Sequence, residues 1–172
     1  MHYHAEVWIE NSNDVNSRVS EAMAPYEEEN RGGGYGGFWD WYQIGGRYKG
    51  THVVGYDSET DPAHKETCRL CNGTGLRDDN LGKQERLYNP DYRCNGCGGV
   101  GISTKWPTDW KRHDKDVILV SELYDGISAY TAIIPNKVAH SDGRNAGGVD
   151  VKRFLHSNGI TVGYIVTVDY HS

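Results

Sequence analysis

Two CxxC knuckles, CRLCNGTG (68–75) and CNGCGGVG (94–101), contain all four cysteines of this 172-residue chain. Two thiolates two residues apart grip one ion from a tight turn. Two such turns complete a tetrahedral Cys₄ shell, which suits Zn²⁺ better than a harder or octahedral ion. The glycines fit that geometry: Asn72-Gly73 and Gly96 lie where each knuckle must bend, and Gly75 and Gly101 let the chain leave in conformations a Cβ disfavours. Twenty-two residues separate Cys71 from Cys94, slightly more than the usual ribbon spacing, but a longer loop adds little closure entropy. Cys68, Cys71, Cys94 and Cys97 are therefore predicted to hold one structural Zn²⁺. Disulfides among the same residues are not expected, because MHYHAEVWIE has no basic-then-apolar signal segment and the chain should stay in a reducing cytosol. A redox dithiol does not need two knuckles, each followed by GxG. An iron-sulfur cluster is the alternative that remains.

Each knuckle matches the CxxCxGxG repeat, and so resembles the cysteine-rich region of DnaJ-type co-chaperones over about residues 64–104. Such a co-chaperone carries four repeats for two zincs and a J-domain with an HPD tripeptide; this chain has two repeats and no HPD. The resemblance implies a zinc-binding module and does not imply chaperone activity.

The length suits one domain, or one domain carrying an insertion. Five Trp and twelve Tyr imply an aromatic core or binding surface. No apolar run approaches a membrane span, so a cytoplasmic protein without a membrane partner is expected. A net charge of −6 disfavours a protein that coats nucleic acid. The charge is uneven, however: residues 62–116 hold ten of the eighteen Lys and Arg against eight carboxylates. Lys65, Arg69, Arg77, Lys83, Arg86 and Arg93 offer the zinc module a basic face through which nucleic acid is a possible partner. The other reading is ordinary solvated loop charge.

Along the chain, His2 to Glu10 alternates as a half-buried strand, with His2, His4, Glu6 and Trp8 on the polar face. Asn13 or Asp14 caps a helix carrying Val15, Val19, Ala22 and Met23 until Pro25 ends it. RGGGYGG (31–37) reads as a flexible loop. Strands are expected at Thr51–Asp57, Asp116–Glu122, Ile127–Ile134 and Ile160–His171, with a second helix at 149–157. This order predicts an α+β fold, ferredoxin-like, with helices on one face of a mainly antiparallel sheet. Its body comprises 1–57 and 106–172, and 58–105 is the zinc insertion.

Two further sets of residues carry chemistry. In FWDWYQIGGRYKG (38–50), Trp39, Trp41 and Tyr42 offer flat faces beside the cation of Arg47, a set suited to stacking on a base or filling a partner's groove. The alternative is that these aromatics plug the core. At the chain ends His2, His4, Asp169 and His171 share strand faces, and pairing of the terminal strands would make them a candidate second metal site with an open position. The alternative is solvated termini. No phosphate loop, dinucleotide fingerprint or nucleophile triad order is identifiable.

The MHYH start, the Ala24-Pro25-Tyr26 triplet closing the first helix, the aromatic segment and the Asp169-Tyr170-His171 end are similar to small proteins of unknown function from phages of actinobacteria. That resemblance implies an accessory factor acting inside a bacterial host and binding a host protein. The leading expectation is a non-enzymatic, zinc-stabilised binding protein. The alternatives are a nucleic-acid-binding finger, and a metal-dependent hydrolase or nucleotide-acting enzyme at the terminal set or at Trp39–Arg47.

Overall fold

The computed structural model describes residues 1–30, 36–141 and 147–172. In chain order the elements are β1 (His2–Ile9), α1 (Val15–Met23), β2 (Trp41–Ile44), β3 (Lys65–Thr67), α2 (Asn80–Tyr88), β4 (Ile102–Thr104), β5 (Val117–Leu119), β6 (Ser128–Ala129), β7 (Thr131–Ile134), β8 (Lys137–His140), β9 (Val149–Asp150), α3 (Val151–Ser157) and β10 (Tyr164–His171). Among the described residues, three helices and a mainly antiparallel sheet make this an α+β protein. The chain divides into one compact unit of Met1–Tyr56 with Lys111–Ser172 and another of Asp57–Trp110. Among the described residues no helix is long and apolar enough to cross a membrane.

The first unit is built on β1 and β10, which pair antiparallel over their full length from His2 opposite His171 to Ile9 opposite Tyr164. The other edge of β10 is shared by β2 and β5, while β1 continues to β7 and β8. The pleat sends Ala5, Val7 and Ile9 with Val166, Val168 and Tyr170 to one face. There they meet Val15, Val19 and Met23 of α1, spaced i, i+4, i+8. Ile165 and Ile134 face the other way and pack with Val151 and Leu155 of α3. Both helices start on an aspartate: Asp14 accepts from Ser17 N, and Asp150 Oδ1 accepts from Arg153 N at 2.9 Å.

Several expectations are corrected here. The ferredoxin-like arrangement fails on two counts. β7 lies directly beside β1 and parallel to it, where a split βαβ unit would place another strand between them; and helices pack on both faces, α1 with Val166 and Val168 and α3 with Ile165 and Ile134. Thr51–Asp57 forms turns, with Thr51 N donating to Tyr48 O and Val53 N to Gly50 O. The positive φ of Gly50 and Gly55 is incompatible with a strand there. The 116–122 and 127–134 segments do not pair with each other. β5 stops at Leu119, where Glu122 caps a 3₁₀ turn, and the second segment is split at Tyr130 into β6, which pairs with β9, and β7. The last strand starts only at Tyr164, after Gly163 at φ +96°. Positions 31–35 of the expected glycine-rich loop lie outside the described residues.

The polar face of β1 is also less exposed than alternation implies. Glu6 is fully buried, and its Oε1 lies 2.7 Å from His4 Nε2, 3.1 Å from His52 Nε2 and 3.1 Å from the donating Thr167 hydroxyl. Burial alone raises a carboxyl pKa, but the bond to His4, the close approach of His52 and the charge of the two rings outweigh it and lower Glu6 from 4.5 to about 2. A carboxyl depressed in the folded state stabilises the fold above its unfolded pKa and loses that contribution as pH falls toward the folded value. Glu6→Gln is thus expected to lose about 3 kcal/mol at neutral pH, with the gap to wild type closing between pH 4.5 and about 2 in urea titrations. A pH-independent gap would refute the assignment.

Candidate metal centre

In the second unit β3 and β4 pair antiparallel from Lys65 opposite Thr104 to Thr67 opposite Ile102, bringing the two knuckles to the same end of a short ribbon. Below it, His64 is buried with its ring stacked on Trp110 at 3.8 Å and its Nδ1 3.0 Å from Ser58 O. The knuckles are joined by a reciprocal pair of bonds: Cys68 N donates to Gly101 O, and Cys94 N to Gly75 O, both at 2.9 Å. The last glycine of each repeat therefore closes the other repeat's knuckle. Neither tolerates a side chain. A Cβ on Gly75 would sit 2.2 Å from Gly99 O, and one on Gly101 2.3 Å from Gly73 O, with φ at +73° and +84°.

The four cysteines gather within metal-binding distance, all sulfurs lying within 4.8 Å of one another. Cys68 and Cys94 Sγ are 3.8 Å apart, Cys71 and Cys97 Sγ 3.7 Å. A disulfide needs about 2.0 Å. A tetrahedron with Zn–S bonds of about 2.3 Å has edges of roughly 3.8 Å, so the donor set fits one tetrahedral ion. Three of the four thiols are buried. Burial pushes the Cys94 thiol up to about 11. At Cys97 burial acts the same way, but N–H groups of Gly101 and Gly99 and the neighbouring sulfurs prevail and bring it down to about 7. A metal loading this site displaces protons from the sulfurs, and acid weakens its hold.

The other predicted residues distribute differently. Trp39 and Tyr42 belong to the core on the α1 face, Trp39 Nε1 donating to Met23 O at 2.9 Å. Alternation sends Trp41 to the opposite face, where its ring lies 5.6 Å from that of His2. Arg47 contributes its backbone, whose N–H donates to Asp169 Oδ2 at 3.0 Å. The terminal set does not converge on one point. His4 turns to Glu6, and Asp169, fully buried, accepts from Arg47 N and meets His2 Nδ1 at 2.9 Å. His171 Nδ1 lies 2.8 Å from Asp40. Among the described residues, only the four cysteines bring three or more ligand atoms within metal range.

The buried acids Glu6 and Asp116, and His52 against Glu6, went unread in the sequence. Glu6 sits in the expected polar face of a half-buried strand, and only Gly45-Gly46-Arg47, which folds back over that face, hints that it is covered. No family model, curated protein or solved structure matches the chain.

Removing the metal should abolish hydrogen-exchange protection of the Cys68 and Cys94 amides while leaving that of β1 and β10 intact. Cys68→Ser should do the same, since either change leaves the knuckles without their cross-link. Protection of those two amides that survives chelation would rule out a structural ion.

Proposed function

We propose that this chain is a zinc-stabilised, non-enzymatic binding protein whose Asp57–Trp110 unit presents an apolar surface to a protein partner. The ion is Zn²⁺, one per chain and structural: four thiolates fill a tetrahedral shell and leave no position for water or substrate. The supporting observation is the exposure of large apolar side chains in this small unit, where Leu87 is 80 % and Tyr88 89 % exposed, with Val100 at 73 % and Trp106 at 66 %. A cleft of about 280 Å³ beside the knuckles is lined by Leu70 and Trp106 together with the charged Glu66, Arg69 and Asp109. Apolar and aromatic anchors within a charged border are how protein interfaces are built.

The module's cations favour a protein partner over nucleic acid. Arg77 is held bidentate by Asp79, Arg86 donates to Arg77 O and reaches Asp78, and Arg69 pairs with Glu66. Three of the six basic side chains thus spend their charge within the module instead of on phosphate. The CxxCxGxG repeats support a finger of the DnaJ type used as a contact surface. The resemblance of the chain's ends and aromatic segment to phage proteins supports an accessory factor acting on a bacterial host protein.

Capture from a bacterial lysate tests this reading with wild type, Cys68→Ser, Tyr88→Ala and Trp106→Ala. Loss of an aromatic anchor should weaken capture by about 30-fold, equivalent to roughly 2 kcal/mol, and Cys68→Ser should abolish it. Equal capture by all four proteins would overturn the proposal. So would recovery of nucleic acid whose binding falls steeply with salt.

A further inference from the structure

We propose a second transition-metal site on the first unit, formed by His2 and His171, with Asp169 and Asp40 as its positioning residues. The two histidines lie directly opposite each other on β1 and β10, and Ser172 N donating to Met1 O at 3.0 Å keeps the strands paired beyond them. Each imidazole is held from behind in the same way. His2 Nδ1 meets Asp169 Oδ1 at 2.9 Å, and His171 Nδ1 meets Asp40 Oδ1 at 2.8 Å. Among the described residues neither ring has a hydrogen-bond partner for its Nε2.

That is the arrangement of a metal-binding histidine, which gives its other ring N–H to a carboxylate. Asp169 is itself fixed, being fully buried with its second oxygen accepting Arg47 N at 3.0 Å. The spacing agrees as well. Two imidazoles bound through Nε2 to one tetrahedral Zn²⁺ at about 2.0–2.1 Å have ring centroids roughly 5 Å apart; those of His2 and His171 are 5.4 Å apart, at an interplanar angle of 69°. The rings remain partly solvent-exposed, so an ion can enter without unfolding the strands. Two imidazoles leave at least two coordination positions for water or an oxygen donor, beside the indole of Trp41. Unlike the Cys₄ shell, this site is open. His4 and Asp169 are not ligands here, being committed to Glu6 and to His2.

Co²⁺ is the probe, added to protein whose Cys₄ site is already filled with zinc. Wild type should take up one equivalent of Co²⁺ with the weak visible bands of nitrogen and oxygen ligation and no thiolate charge-transfer band, and should selectively broaden the ring-proton resonances of His2 and His171. His171→Ala, at a partly exposed position, should fold as wild type by circular dichroism and take up none. Asp40→Asn should give the same spectrum at ten- to a hundred-fold lower affinity, the usual cost of losing such a carboxylate. The site does not exist if wild type takes up no Co²⁺ beyond its zinc, if His171→Ala takes up as much, or if other residues broaden instead. An unchanged affinity in Asp40→Asn would remove the positioning role.

Discussion

The antiparallel pairing of β1 with β10 is the interaction on which the rest of the first unit depends. Eight residue pairs in one register set what each face carries, since a slip of one residue would exchange the faces of a strand. In this register one face becomes the core under α1. The other is apolar at Trp8 and Ile165, under α3, and polar from Glu6 and Thr167 outward. The gradient along that face separates roles. Glu6 is buried among groups that satisfy it, whereas His2 and His171 reach the rim with their carboxylates behind them.

The second unit is organised by a different economy. Its described helix, α2, buries only Gly82, and among its cysteines Cys68, Cys71 and Cys94 form a cluster of their own. Fifty-four residues with so small an apolar centre need a staple. The sulfurs supply it, and the reciprocal bonds of Cys68 N with Gly101 O and Cys94 N with Gly75 O explain why the staple comes as two copies of one repeat. Each copy is incomplete alone, because its knuckle amide is satisfied only by the other copy's terminal glycine. Apolar side chains such as Leu87 and Tyr88, left outside so small a centre, are then available for contact.

The parts of this structure legible in the sequence are those whose signals are local. The cysteine spacing, the Asp14 cap with its i, i+4, i+8 stripe and the alternation of β1 each depend on a few neighbouring residues. What was not legible depends on pairing at a distance. DVILVSE has the pattern of a full strand, yet only Val117–Leu119 find a partner on β10, because β10 begins at Tyr164 opposite Leu119 and Val120–Glu122 turn away as a 3₁₀ helix. The same holds for FWDWYQIGGRYKG: its aromatics alternate, and nothing within the segment says that Trp39 and Tyr42 enter the core while Trp41 faces His2.

The Gly-Gly-Arg turn gives that segment a structural role that its sequence does not announce. Gly45 and Gly46 have positive φ, and a Cβ on either would fall within about 2.5 Å of Asp116 or Asp169. The turn lies so close that backbone amides replace water around both buried acids: Arg47 N serves Asp169, while Gly50 N and His113 N, each at 2.7 Å, serve Asp116. For Asp116 burial still prevails over these bonds and raises its pKa, so its folded form takes up a proton more readily than the unfolded chain does. By linkage, falling pH relieves Asp116 while it withdraws the stabilisation from Glu6, so the two acids oppose each other in acid.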